Sequence, residues 1–583
     1  MRLSNSPSTG RTHRYASFRP THAGRRTLFC DFAPLHPGAA SPFCGTTSNP
    51  QCAVPTLNWI GKDAVVRHHK EVPFRLLGAD KKLSHGDSAG GNLIVEGDNL
   101  HALKALLPRY AGKVKCICID PPYNTGNEGW VYNDNVNAPE ILRWLGQTVG
   151  KEAEDLSRHD KWLCMMYPRL VLLKQFLSED GMIFVHIDDN EEATLRLLMD
   201  EVLGRSCFVA KLVWKARQHL DSRAVSRIST DHEYILVYAR SPSGGQFRGR
   251  TRDESKYSNP DKDPRGNWMS RSILGLADAK NRPNLHYPLK DEKTGLEYPC
   301  PPNTGWRYSR ETMAKLISEG RILFPKKPTG RPREKVFIEN LQQQFTCFPS
   351  IISDVYTDQG TAAIRDIFGS GVFAFPKPPE LTASLIEQVT DLDSIILDSF
   401  AGSGTTAHAV LKQNAADGGN RKFILVEMEP GICKDITAER VRRVAGGYTN
   451  AKGEAVEGLG GGFQYCRLSK DPLFDATGAV REDVRFAQLA EFVWFAETGT
   501  GFIGKANSPL LGVHQGVAVY LLYNGILKDK SVDGGNVLTA PVLALLPPHD
   551  GPKVIYAAAS RLGAPRLQRE RIVFKQTPYA LDV

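Results

Sequence analysis

The sequence predicts an α/β protein built on a mostly parallel sheet, with the sheet-forming residues split in two by a long basic insert. Three observations carry this. Apolar strands alternate with amphipathic helices from Pro55 to about residue 206. The same texture returns between residues 372 and 447. Between the two the charge changes sign: net −4 over 55–206, +9 over 207–371 and −1 over 372–583. With 583 residues, 41% apolar and 23% charged, the chain is long enough for several cores, and the composition excludes disordered, collagenous and coiled-coil classes. No run approaches the roughly 18 uninterrupted apolar residues of a membrane helix, so no membrane span is expected.

Residues 1–54 carry six Arg against one acid (+5) and are rich in Ser, Thr and Pro without periodicity. They are expected to be a disordered basic tail; an organelle transit peptide is the alternative, and no amphipathic arginine helix supports it. Next come strand 92–98, helix 99–110, strand 114–120, helix 162–180, strand 181–188 and helix 191–204. After the insert follow helix 379–390, strand 394–400, helix 405–415, strand 422–429 and helix 433–447. A Gly-rich linker ending at 458–463 then leads into a further mixed α/β unit. The expected division is therefore 1–54, 55–206, 207–371, 372–447 and 448–583. The eleven Cys are scattered, and Cys116 and Cys118 are spaced to point the same way from a strand rather than to chelate zinc. That usage suggests a reducing compartment, no disulfide framework and no metal site.

The sharpest constellation is Asp120, Pro121, Pro122 and Tyr123, directly after an apolar strand, where ligands bind in an open α/β sheet. Two prolines remove two N–H donors and stiffen the loop, leaving the Pro121 carbonyl and the Asp120 carboxylate as acceptors beside an aromatic face. Acceptors and a stacking ring suit the exocyclic amine of a flat heterocycle. Such a nitrogen is a poor nucleophile until acceptors hold both its hydrogens out of the ring plane and free its lone pair. A base presented this way has first left the duplex, and Tyr123 would stack on it. The bland alternative is a Pro-Pro turn with Tyr123 in the core.

The second motif, DSFAGSGTT over 398–406, lies between a strand and a helix. Gly402 and Gly404 permit a tight turn with close backbone approach, and the helix N-terminus can hold a carboxylate. The spacing is neither that of a dinucleotide fold nor that of a P-loop. Glu427, ending the next strand, stands where a ribose diol is held in such sheets, with a solvated strand end as the alternative. Asp98 also suits the N-cap of helix 99–110, and Lys377 a solvated charge before a helix. His186, Asp188 and Asp189 sit where capping explains them nearly as well as chemistry does.

These motifs, in this order around a basic insert, resemble the β-group of amino DNA methyltransferases. Segments 58–69, 96–106, 184–191, 231–240, 257–268, 305–324 and 373–386 are similar to the modification subunits of type III restriction systems, and 523–537 resembles their C-terminal part. The resemblance implies a Rossmann-like, S-adenosylmethionine-dependent methyltransferase sheet, permuted so that the catalytic half (55–206) precedes the donor half (372–447). It further implies an inserted target-recognition domain (207–371) and a C-terminal α/β domain (448–583). It assigns catalysis to Asp120, Pro121, Pro122 and Tyr123. It assigns donor binding to Asp398, Phe400, Ala401, Gly402, Ser403, Gly404 and Glu427, with Lys377 and Asp98 as further donor-site positions. Ser399 stands where Pro is common in the family.

The insert interleaves basic residues with Trp214, Tyr257, Trp268, Tyr287, Trp306 and Tyr308, and contains the cluster Lys326, Lys327, Arg331, Arg333 and Lys335. Cations can position phosphates, and Arg, Asn or Gln can read base edges. The functional expectation is a site-specific adenine-N6 methyltransferase acting on double-stranded DNA, the modification subunit of a type III restriction-modification system. It would be cytoplasmic and homodimeric, and would work with a separate ATP-dependent restriction subunit. Cytosine-N4 methylation, or a DNA-binding assembly role with methylation weak or lost, are the competing expectations.

Overall fold

The computed structural model describes residues 57–125 and 154–577, apart from 88–89, 223–225, 277, 328, 341–344, 476, 524 and 529–534. The tail expected over 1–54 lies outside these residues, as does part of segment 523–537.

Ten strands form the main sheet: β1 Arg75–His85, β2 Leu93–Glu96, β3 Val114–Ile119, β4 Leu177–Ile187, β5 Phe208–Lys215, β6 His232–Ala239, β7 Ile351–Ile352, β8 Ile395–Asp398, β9 Lys422–Glu427 and β10 Phe463–Pro472. They lie side by side in the order β1-β10-β2-β9-β8-β3-β4-β6-β5-β7. From β10 to β4 all neighbours are parallel, and β6 runs antiparallel to both β4 and β5. The central strands LIVE, VKCICI and KFILVE are buried almost throughout, as strands covered on both faces require. Side chains divide by the period of two. Ile117 and Ile119 of β3 join the core that also holds Leu103 and Leu107 of helix α1 (Asn99–Tyr110) and Trp162 and Leu173 of helix α2 (Glu154–Phe176). Cys116 and Cys118 face the other core, with Leu385 of helix α3 (Pro379–Val389), Val410 of helix α4 (Thr405–Asp417) and Val441 of helix α5 (Glu439–Gly446). Their Sγ atoms are 3.6 Å apart, on one side of the strand as expected, and both are free thiols.

Winding direction sets where a ligand can enter. From β3 the chain passes through α2 to β4 on one side, and from β8 through α4 to β9 on the other. Adjacent β3 and β8 therefore mark the point where the order reverses, and a crevice opens beyond their carboxyl ends. Both motifs sit there.

The sheet extends beyond the segments expected for it. Strands β5, β6 and β7 lie within 207–371, and β10, after the glycine-rich stretch, pairs with β1 and β2. What stands outside the sheet in the basic segment is roughly 250–346. It has its own core of Ile273, Tyr287, Tyr298, Trp306, Met313 and Ile322, and a three-stranded sheet of Ile322–Leu323, Arg333–Phe337 and Trp268–Ser272. Beyond β10, helix α6 (Phe486–Thr498) packs Phe492 edge-on against Phe74, 4.7 Å between ring centres. A four-stranded sheet of 510–514, 517–521, 553–557 and 572–576 follows. Among the described residues no helix is long and apolar enough to cross a membrane.

Candidate active site

Asp120 to Tyr123 follow β3 at the crevice. The Asp120 Oδ2 lies 2.8 Å from Lys377 Nζ, while its Oδ1 is buried and has no hydrogen-bond partner among the described residues. Among the described residues no hydrogen bond uses the Pro121 carbonyl. The Pro122 carbonyl does not share that freedom, since it accepts from Trp162 Nε1 at 2.7 Å. Tyr123 donates its hydroxyl to Glu233 of β6 at 2.8 Å, and its ring lies 4.8 Å from the Lys377 ammonium. Burial, then Asp120 and Glu233, push the Tyr123 phenol well above its ordinary range, so it stays a neutral donor. Burial disfavours the Lys377 cation, yet Asp120 and Glu233 together outweigh it and raise its pKa. His186, at the end of β4, is buried, and its Nδ1 has no partner among the described residues. Burial lowers its pKa to about 4, with Asp120 opposing and Lys377 reinforcing, so the ring is neutral at pH 7.

The glycine loop follows β8 beside this cluster. Gly402 and Gly404 take φ of 48° and 79°, and a Cβ on Gly404 would come within 3.2 Å of the Thr437 carbonyl oxygen, so both position and handedness call for glycine. Asp398 accepts from Phe400 N at 3.0 Å and from Thr406 Oγ1 at 2.6 Å; it shapes the loop from inside. Phe400 and Ala401 are buried, one in each core. The Ser403 hydroxyl accepts from the Arg440 guanidinium at 2.8 Å, and Thr405 Oγ1 accepts from the same group at 2.9 Å. Glu427 accepts from Gly402 N at 2.8 Å and Glu429 N at 3.0 Å, so it is buried and tied to the loop rather than a solvated strand end. Burial raises its pKa.

Asp98 caps α1 by accepting from His101 N at 2.9 Å, and its other oxygen lies 3.6 Å from the Arg169 guanidinium. The next residue, Asn99, donates to the Ser399 carbonyl at 3.2 Å and accepts from Arg169, which stitches the catalytic half to the donor loop. Lys377 joins the two motifs: its ammonium sits on Asp120, and its carbonyl touches the glycine loop, accepting from Thr405 Oγ1 at 3.1 Å. The two carboxylates facing the ammonium, Asp120 and Glu233, are the electrostatic reason for its place. Asp188 accepts from Asn190 N at 2.9 Å, and Asp189 accepts from Tyr234 Oη at 2.8 Å, so local turn formation and strand packing account for them. Sequence reasoning assigned no role to Glu233, Arg440, Trp162 or Arg169. For Glu233 a signal existed in the DHEY run at 231–234.

In the basic segment, Trp214, Tyr257, Tyr287 and Trp306 are buried core residues. Lys335 is buried and held by Asp261 and Asp263, whereas Lys326, Lys327, Arg331 and Arg333 are exposed.

Asp398 carries a pH prediction. Burial raises its pKa from 3.8 to about 7, so the folded state takes up a proton that the unfolded chain releases near pH 4. The contribution is fully present below pH 4 and is lost as pH rises to 7. Asp398→Asn is expected to flatten the fall in urea midpoint across that window; an unchanged slope would place the ionised form in the folded protein.

A family model described as DNA methylase matches residues 114–439. The type III restriction-modification enzyme StyLTI Mod subunit of Salmonella typhimurium is 32% identical over 424 residues, 67% of this chain and 62% of that protein. The EcoPI Mod subunit of Escherichia phage P1 is 33% identical over 434 residues, 65% of this chain and 64% of that one. The type II methyltransferase M.KpnI of Klebsiella pneumoniae is 30% identical over 412 residues, 65% of this chain and 93% of the relative. The chain thus spans a little under two thirds of the length of the Mod subunits it matches.

Proposed function

The chain belongs to the N6/N4 DNA methylase family, and on that premise we propose that it is a site-specific DNA methyltransferase, transferring a methyl group from S-adenosylmethionine to N6 of adenine in duplex DNA. In this reading it is the modification and recognition subunit of a type III restriction-modification system, working as a homodimer with an ATP-dependent restriction subunit. One observation carries the chemistry: among the described residues, two acceptors beside the Tyr123 ring, Asp120 Oδ1 and the Pro121 carbonyl, have no hydrogen-bond partner. Buried polar atoms are nearly always bonded, and an exocyclic amine brings two hydrogens for two such acceptors.

The residues of the glycine loop fit a methyl donor of this kind. Glu427 is a carboxylate acceptor held in place by the Gly402 and Glu429 amides, suited to a diol. The N-terminus of α4 offers amides to a carboxylate. The donor, when bound, supplies an electrophilic methyl carbon on a positively charged sulfur. Asp120 and Pro121 hold the N6 hydrogens out of the ring plane, Tyr123 stacks on the flipped base, and the nitrogen attacks in line as the carbon–sulfur electron pair stays on sulfur. Asp120 then faces the proton that N6 must lose. Orientation and acceptors are the terms the protein contributes.

Labelled S-adenosylmethionine with mixed-sequence duplex DNA, followed by nucleoside analysis, tests the reading. N6-methyladenosine is the expected product; N4-methylcytidine keeps the mechanism and changes the base, and no label would leave DNA binding without methylation. For DNA contact, exposed Lys326, Lys327 and Arg331 are expected to reach phosphates. Changing all three to Ala should weaken binding to all sequences alike and reduce the log–log salt slope by about 1 for each phosphate left without its cation. An unchanged slope in filter binding would move the phosphate-binding surface elsewhere.

A further inference from the structure

We propose that Glu233 and Lys377 form a positioning pair that aims the Asp120 carboxylate and the Tyr123 ring at one base, a role that rests on the methyl-transfer reading above. Three separate stretches of chain meet here: the loop after β3, the start of β6 and the segment before α3. Lys377 Nζ lies 2.8 Å from Asp120 Oδ2 and 3.6 Å from Glu233 Oε2. That same Glu233 oxygen accepts the Tyr123 hydroxyl at 2.8 Å. One carboxylate thus governs both the cation that grips the acceptor and the ring that stacks.

The consequence for Asp120 follows from its torsion. A carboxylate turns easily about its last bond, which is broad and two-fold, and unaided it would present either oxygen to the base. With Lys377 on Oδ2, only Oδ1 is left, and that is the atom found buried and, among the described residues, without a partner. The pair lies deeper than its client, with side-chain exposures of 12% for Lys377 and 21% for Glu233 against 32% for Asp120, so solvent and salt screen it less than a surface ion pair. Two carboxylates around one ammonium also leave the cluster with net negative charge, and that charge faces the nitrogen that becomes positive as the new bond forms.

The test is a double-mutant cycle of Glu233→Gln and Lys377→Met, read in single-turnover methyl transfer at saturating donor and DNA, with donor affinity measured alongside. Each single change is expected to slow transfer about 10²-fold, the effect of a misplacement near 1 Å, with donor affinity held within about threefold, and the double variant no slower than the slower single. Wild-type rates in the singles, losses that multiply in the double, or a loss confined to donor affinity would overturn the pair. Tyr123→Phe removes one hydroxyl and serves if a charge variant fails to fold: transfer slowed about tenfold supports the link through Glu233, and a wild-type rate overturns it. If wild-type protein methylates no DNA, the proposed function falls on its own. The pair is then judged from urea midpoints of the same cycle, where non-additivity supports it and additivity overturns it.

Discussion

Asp120→Ala is expected to slow methyl transfer by about 10²–10³-fold, the range for losing one preorganised group at a reacting centre, while the affinity for S-adenosylmethionine stays within about threefold. The separation of effects comes from the connectivity of the site. Asp120 bonds Lys377, and the carboxylates that shape the donor loop, Asp398 and Glu427, are engaged with that loop's own amides and Thr406. Removing Asp120 takes away the acceptor with the free oxygen and releases Lys377 towards Glu233, already 3.6 Å away. Asp120→Asn keeps one acceptor oxygen but offers an amide NH2 to a cation, so it is expected to lose nearly as much. Single-turnover transfer and calorimetric donor binding separate the outcomes. A loss in donor affinity alone would assign Asp120 to the donor side of the crevice.

The central sheet was legible because its strands are continuous apolar runs bounded by acids: VKCICI before Asp120, IILD ending at Asp398, KFILVE ending at Glu427. Those terminal acids are also the site residues, so finding the strands found much of the crevice. What stayed hidden depends on contacts between residues far apart in the chain. HEYILVYA sits in a stretch read by its charge as insert, yet it is strand β6 and places Glu233 beside Tyr123. Lys335 resembles its basic neighbours, and only folding brings Asp261 and Asp263 onto it. The place of Lys377 before the donor loop is visible in the sequence, and only folding brings Asp120 onto its ammonium. Arg440 stands in ERVRRVAG, where Arg442 and Arg443 pair outward with Glu439 and nothing local marks Arg440 as different.

Arg440 carries the second large effect. Its side chain is fully buried, burial lowers its pKa to about 10, and among the described residues no carboxylate lies within ion-pair distance. Its bonds go to neutral groups, Ser403 Oγ at 2.8 Å, Thr405 Oγ1 at 2.9 Å, the Ser403 carbonyl at 3.3 Å and His408 Nδ1 at 3.3 Å, so it holds the glycine loop from beneath at the start of α4. Arg440→Met is expected to weaken donor binding about 10–100-fold, on the scale of one or two charge-assisted hydrogen bonds. Folding stability should hold or rise, because an uncompensated buried guanidinium is expensive to desolvate and Met fills similar volume without that cost. Once donor is saturating, transfer should recover to within about tenfold of wild type, since Asp120, Lys377 and Tyr123 keep their contacts. Asp120→Ala and Arg440→Met therefore fail in opposite columns, rate against donor affinity. Two variants failing in the same column would mean that the crevice is one cooperative unit rather than an acceptor cluster and a donor loop on neighbouring strands.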